Sequence, residues 1–137
     1  LDSLGKRVNW LSEVCDELQL KRVQCVHARA EEFAAQHREE YDLAVSRAVA
    51  QLNVLSELCL PLVKVGGQFI AMKSVDTEEE IAAAKSAIKA LGGRIACVED
   101  YTIPTSSIVH RVVIIEKTAP TPRAYPRAFA KIKKSPL

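Results

Sequence analysis

Asp2 lies in a short run, Leu1-Asp2-Ser3, that reads as the end of a β-strand turning into a helix. In an α/β sheet, ligands bind beyond the C-terminal ends of the strands, and a carboxylate there can accept hydrogen bonds from both hydroxyls of a ribose. Its other possible work is to cap the helix that starts near Leu4, a place that Ser3 can fill instead. Glu31 and Glu32 follow Ala30. Without a ligand they are first-turn acids of the kind a helix dipole favours. Arg47 is a lone cation among apolar residues, just past the run Leu43–Ser46. A guanidinium holds a carboxylate through two parallel bonds and can equally take a phosphate. An ion pair with Asp42 or Glu57 is the alternative. Lys73 closes another apolar run and is either a second ligand-facing cation or a solvated strand-end lysine. Near the C-terminus Arg123, Arg127, Lys131, Lys133 and Lys134 gather around Tyr125. Cations neutralise phosphates and a tyrosine ring stacks on an unpaired base. The alternative is a solvated, partly disordered tail.

Other chemistries find little support. The cysteines (Cys15, Cys25, Cys59, Cys97) are far apart and form no C-x-x-C pair, so they read as buried thiols. His27, His37 and His110 show no ligand spacing. No metal site is expected.

These residues need elements to position them. Apolar residues at Leu4, Val8, Leu11, Cys15 and Leu18 mark one face of a helix over residues 4–20, with Ser3 as its N-cap. Val23–His27 is a short strand, Ala30–Arg38 a short polar helix and Leu43–Ser46 a further strand. A helical stripe runs over 49–63 through Leu52, Leu55, Cys59 and Leu62, with Pro61 ending or bending its last turn. Gly66-Gly67 punctuates the chain before a strand over Gln68–Lys73. Thr77 and Glu80 spell a capping box for a helix that buries Ile81, Ala84, Ile88 and Leu91 and stops at Gly92-Gly93. Arg94–Tyr101 and Val109–Glu116 read as an antiparallel strand pair at a sheet edge. Strands alternating with helices and closed by a hairpin predict an α/β sheet, mostly parallel, with a C-terminal antiparallel hairpin. No glycine-rich loop precedes Asp2, so the sequence reads as the downstream part of a cofactor-binding domain, without its first strand.

The chain has 137 residues, 48% of them hydrophobic and only 5% aromatic, a mix that suits strands covered by helices. No apolar run approaches the roughly 20 residues that span a bilayer. Lys6, Arg7 and Asn9 interrupt any leader-like stretch, and a cytoplasmic protein is expected. The net charge of +2 conceals an asymmetry: residues 1–116 carry −4 and residues 117–137 carry +6. A basic tail on an acidic body points to a polyanionic partner. The expected division is a partial Rossmann-like domain over 1–116 and a basic, proline-containing tail over 117–137.

Five motifs in order and in register now carry a resemblance. Leu1-Asp2-Ser3-Leu4-Gly5-Lys6-Arg7 resembles the second-strand motif of the RsmG family, also called GidB, bacterial 16S ribosomal RNA guanine-N7 methyltransferases. Arg29-Ala30-Glu31-Glu32, the segment from Tyr41-Asp42 through Ser46-Arg47-Ala48-Val49-Ala50, and Gly66-Gly67 through Met72-Lys73 resemble further family motifs. So do Tyr125-Pro126-Arg127 and Lys134-Ser135-Pro136-Leu137 in the tail. Ser74, Ala130 and Ile132 depart from the pattern, where glycine, glycine and proline are common. The resemblance implies a class I methyltransferase sheet and S-adenosyl-L-methionine as cofactor. It implies that Asp2 and Ser3 hold the ribose, that Ala30 and Glu31 lie beside the adenine, and that Arg47 faces the methionyl end. It implies 16S ribosomal RNA or the small ribosomal subunit as partner, met by Lys73, Arg123, Tyr125, Arg127, Lys131, Lys133 and Lys134. Guanine N7 already carries a free lone pair, so the reaction asks for no general base. Positioning and desolvation would suffice. Two other classes stay open: a non-catalytic RNA-binding module, and a dinucleotide-dependent oxidoreductase, whose cofactor ribose Asp2 would serve equally well. The R-A-E-E and S-R-A-V-A runs argue against the latter.

Overall fold

The computed structural model describes residues 1–47 and 50–137. Ala48 and Val49, within the S-R-A-V-A motif and at the predicted start of the third helix, lie outside the described residues. The elements run α1 (Gly5–Glu17), α2 (Ala30–Gln36), β1 (Tyr41–Arg47), α3 (Leu52–Cys59), a 3-10 turn at Leu60–Leu62, and β2 (Val63–Lys73). They continue with α4 (Glu78–Ala90), β3 (Gly93–Thr102), β4 (Val109–Lys117) and α5 (Phe129–Lys134).

One four-stranded sheet has the order β1-β2-β4-β3. β1 and β2 are parallel, and β4 runs antiparallel to both of its neighbours. The expectation of a mostly parallel sheet therefore holds for direction only. Three of the four described strands point one way, but two of the three ladders are antiparallel, because β4 inserts between β2 and β3. Phe69 pairs with Ile115 and Ala71 with Val113, and all four are fully buried. Side chains alternate along a strand, so these opposed pairs form one continuous apolar layer. Leu52 and Leu55 of α3, and Ala84, Ile88 and Leu91 from α4 and its C-cap, complete the core against that layer. Pro61 does end the third helix, in the 3-10 turn. The regular β1–β2 ladder starts at Gln68, and Lys64–Gly67 bulge out of it. A Cβ on Gly67 would strike the Asp42 carbonyl at 2.5 Å. Gly92 takes φ +82° just past α4, where a Cβ would run into the Ala119 backbone.

Four expectations need correction. Val23–His27 is not a strand. His27 forms a single parallel bridge with Asp2, through Asp2 N–H to the Val26 carbonyl (3.1 Å) and Ala28 N–H to the Asp2 carbonyl (3.2 Å), and no described strand continues that ladder. Ser3 does not cap α1. Leu4 holds that place, and the Asp2 carboxylate accepts the Leu4 N–H at 2.9 Å. The apolar stripe of α1 is largely uncovered, with Val8 buried but Leu4 and Leu18 more than half exposed. Nor does the capping box close. The Thr77 hydroxyl donates to the Ser74 carbonyl, and Glu80 turns to α3 instead. The four cysteines are free and half-buried rather than fully buried.

The tail is laced to the body rather than loose. Arg38 donates to the carbonyls of Thr121, Pro122 and Tyr125. Glu39 accepts both the Thr121 N–H (2.7 Å) and the Lys117 ammonium (2.9 Å). Lys117 is buried, and its ammonium also donates to the carbonyls of Leu60 and Val63. Burial pushes the Lys117 pKa below the ordinary lysine range, with Glu39 offsetting part of that effect. Burial works against the Glu39 charge, yet Lys117 and the Thr121 N–H hold its carboxyl below the usual carboxylate range. Among the described residues, no helix is long and apolar enough to cross a membrane.

Candidate functional site

The bridge between Asp2 and His27 sets the geometry of the site. It draws the start of the chain against Ala28, so that Asp2 and Ser3 come to face the first residues of α2. Leu1, Asp2, Ser3, Arg7, Ala28, Arg29, Ala30, Glu31, Leu58 and Phe129 line a cleft of about 430 Å³. Four of the five residues predicted to hold a cofactor, Asp2, Ser3, Ala30 and Glu31, thus share one wall system. The Asp2 carboxylate accepts the Leu4 N–H with one oxygen and the Arg7 guanidinium with the other. The Leu4 N–H first, and then Arg7, hold its carboxyl below the ordinary aspartate range. It stays an anion with acceptor capacity to spare, since each carboxylate oxygen has two lone pairs. Glu31 is largely enclosed and lies 3.7 Å from the Arg29 guanidinium.

A second, more apolar hollow of about 570 Å³ adjoins this cleft and shares Leu1, Ala30 and Leu58 with it. Tyr41, Leu43 and Val45 on the free edge of β1 line it opposite Gln24 and Val26. Arg47 stands apart from both, exposed at the C-terminal end of β1. The two alternative partners considered for it are engaged elsewhere: Asp42 with Lys64 at 3.0 Å and Glu57 with Arg127 at 2.6 Å. Among the described residues, no carboxylate lies within ion-pairing distance of Arg47.

Lys73 ends β2 at the same end of the sheet, in register with Arg111. Its side chain is only 7% exposed, and its ammonium is bound to Glu80 at 2.6 Å and to the Ala50 carbonyl at 2.9 Å. Glu80 also accepts the Leu52 N–H at the start of α3. Lys73 and Glu80 therefore grip both ends of the segment 50–52, just downstream of Arg47. Lys73 is neither a solvated lysine nor a cation free to meet a ligand.

The tail residues divide in the same way. Arg127 forms a two-pronged bond to the fully buried Glu57 and donates to the Ser135 carbonyl at 3.0 Å. The Glu57 carboxylate beside it raises the Arg127 pKa. Tyr125 is half-buried against the core, with the Arg127 guanidinium 5.9 Å from its ring. Arg123 and the α5 residues Lys131, Lys133 and Lys134 remain exposed. The basic strip read from the sequence is thus two populations, one built into the fold and one facing solvent. Arg38 and Phe129 went unnoticed as site-building residues, Glu57 was considered only as a partner for Arg47, and Glu80 only as half of a capping box. Glu57 gave one signal, an acid inside the stripe Leu52-Leu55-Cys59, and Phe129 another, a lone large apolar residue among tail cations. Arg38 gave none, and the Glu80 signal, its spacing from Thr77, pointed to a helix cap instead. Among the described residues no cluster of three metal-ligating side chains occurs.

Residues 1–109 match the family model GidB, described as rRNA small subunit methyltransferase G. Two curated relatives bear the name ribosomal RNA small subunit methyltransferase G. One, from Clostridium botulinum, is 53% identical over 139 aligned positions. The other, from Levilactobacillus brevis, is 48% identical over 140. Both alignments cover 100% of this chain, and the chain spans 58% of the length of those relatives. Among solved structures, an rRNA methylase from Streptococcus thermophilus aligns over 86% of this chain and 71% of its own, with a TM-score of 0.59 at 13% identity. A TYW2 protein from M. jannaschii, in complex with AdoMet, aligns over 82% and 53%, with a TM-score of 0.61 at 15% identity. At such identities these two structures establish the fold and nothing finer.

Proposed function

This chain belongs to the rRNA small subunit methyltransferase G (GidB) family, and on that premise we propose that the protein transfers a methyl group from S-adenosyl-L-methionine to N7 of a guanine in 16S ribosomal RNA. One observation carries the reading: the residues that the family resemblance assigns to the ribose and adenine converge on a single cleft. The residues there suit such a ligand. Asp2 is a charged acceptor with free lone pairs for a ribose diol, and the small side chains of Ala28 and Ala30 line the cleft beside it. Glu31 adds a second, enclosed acceptor.

When bound, S-adenosyl-L-methionine supplies a methyl carbon on a positively charged sulfur. The chain supplies position. Asp2 and Ser3 would fix the ribose and Ala30 and Glu31 the base edge. Arg47 would hold an anion at the end of β1, either the methionyl carboxylate or an RNA phosphate. Lys73 and Glu80 act through the backbone, by holding residues 50–52 and hence the path of the chain that leaves Arg47. Arg123, Lys131, Lys133 and Lys134 would meet RNA phosphates. Guanine N7 offers a lone pair in its neutral form, so orientation and exclusion of water account for the chemistry without a proton-transfer residue.

The test uses the full-length gene product, tritiated cofactor and 16S RNA, both naked and in the small subunit. Transfer that disappears on treatment specific for N7-methylguanine supports the reading. No transfer to either substrate sinks it.

A further inference from the structure

The tail helix reaches the same cleft as Asp2. α5 makes its core contact through Ile132, which is fully buried. Phe129, one turn earlier, is only half-buried and lines the cleft with Asp2, Ala30 and Glu31. It is the one aromatic ring in that lining, where the other apolar groups are Leu1, Leu58 and the small Ala28 and Ala30. The Arg29 guanidinium carbon lies 5.5 Å from the ring centroid, and the same side chain reaches toward Glu31. The ring is well anchored. Arg127 binds Glu57 just before α5 and the Ser135 carbonyl just after it, and Asn53 donates to the Leu137 carbonyl at 3.1 Å.

We infer that Phe129 is a wall of the cofactor site, against which the adenine of the cofactor packs, so that the basic tail is part of the cofactor pocket. This rests on the methyltransferase reading above. An aromatic face held beside ribose-binding and base-edge-reading groups suits a flat heteroaromatic ring, and stacking of a base on such a face contributes roughly tenfold or more in affinity. A purely structural Phe129 would seat α5 and hold the Arg29 guanidinium over its ring, and a tryptophan in its place would then not sense an added ligand.

The experiment measures binding of S-adenosylhomocysteine to the full-length gene product by calorimetry, for the wild type, Phe129→Leu and Phe129→Tyr. Roughly tenfold weaker binding by Phe129→Leu, with near wild-type binding by Phe129→Tyr, is expected. A Phe129→Trp variant gives a second readout. Its emission should change on ligand addition beyond any change in the wild type, in which Trp10 is exposed. Phe129→Leu binding as tightly as wild type, or Phe129→Trp emission that does not respond, overturns the inference alone. No binding by the wild type overturns the methyltransferase reading and this inference with it.

Discussion

Asp2 and Arg127 show how two ion-paired side chains can do opposite work. The Asp2 carboxylate keeps its charge by local bonds and sits open at a cleft, the condition of a ligand acceptor. Replacing Asp2 with asparagine in the full-length protein should weaken cofactor binding about tenfold, since a hydrogen bond to a charged group is among the stronger ones. Calorimetry reads this directly, and unchanged affinity would remove Asp2 from the site. Arg127 was read as an RNA contact, but its guanidinium is spent on the buried Glu57. Removing one partner of a buried pair strands the other. Arg127→Ala should therefore lower stability by about 3 kcal/mol in chemical denaturation. Converting Lys133 and Lys134 to glutamate should leave stability nearly unchanged, weaken RNA binding and flatten its dependence on salt. A salt slope equal to that of the wild type would show that these lysines meet no phosphate.

At the scale of elements, periodicity was informative wherever an element buries one face. β2 from Gln68 and β4 from Val112 alternate half-buried and buried residues, and α3 and α4 each place an apolar stripe on the sheet, so these four were legible from the sequence. Val23–His27 has strand-like residues but only Asp2 as a ladder partner, and residue pattern cannot report a missing neighbour. The Thr77–Glu80 spacing is that of a capping box, yet Glu80 finds two better partners, the Lys73 ammonium and the Leu52 N–H. Local spacing cannot foresee a competitor 28 residues away. Glu80→Ala should consequently destabilise the protein by about 1–3 kcal/mol, while Thr77→Ala should have a smaller effect than loss of a working N-cap. Thermal melts of the two variants compare them directly. The cleft was legible in four of its lining residues, Asp2, Ser3, Ala30 and Glu31, because a motif marks each. Phe129 was not, because its approach depends on how the tail folds back.

For the whole molecule, two features dominate. Apolar surface runs from Leu11 and Cys15, past Val23 and Val26, to Tyr41, Leu43 and Val45 on the free edge of β1. A free, apolar strand edge is a template for association. The isolated 137-residue polypeptide should bind a hydrophobic dye and sediment as more than a monomer, and a dye-silent monomer would show that this surface is covered. The second feature is a set of carboxylates that the fold keeps charged: Asp2, Glu39, Glu78 and Asp100 all have pKa values below their ordinary ones. Each binds fewer protons folded than unfolded. The stability they confer is complete above the unfolded carboxylate range near pH 4 and is lost as pH falls through the lower, folded values. Denaturation midpoints measured from pH 7 downward should hold until about pH 5 and then drop.

Methyl transfer by the full-length protein to 16S RNA, followed by mapping of the modified base, tests the central claim most directly. Label at guanine N7 with the wild-type protein, reduced about tenfold with Asp2→Asn at sub-saturating cofactor while the fold is retained, is the expected result. Absence of label with the wild type on both naked RNA and the small subunit, or full labelling by Asp2→Asn, would contradict it.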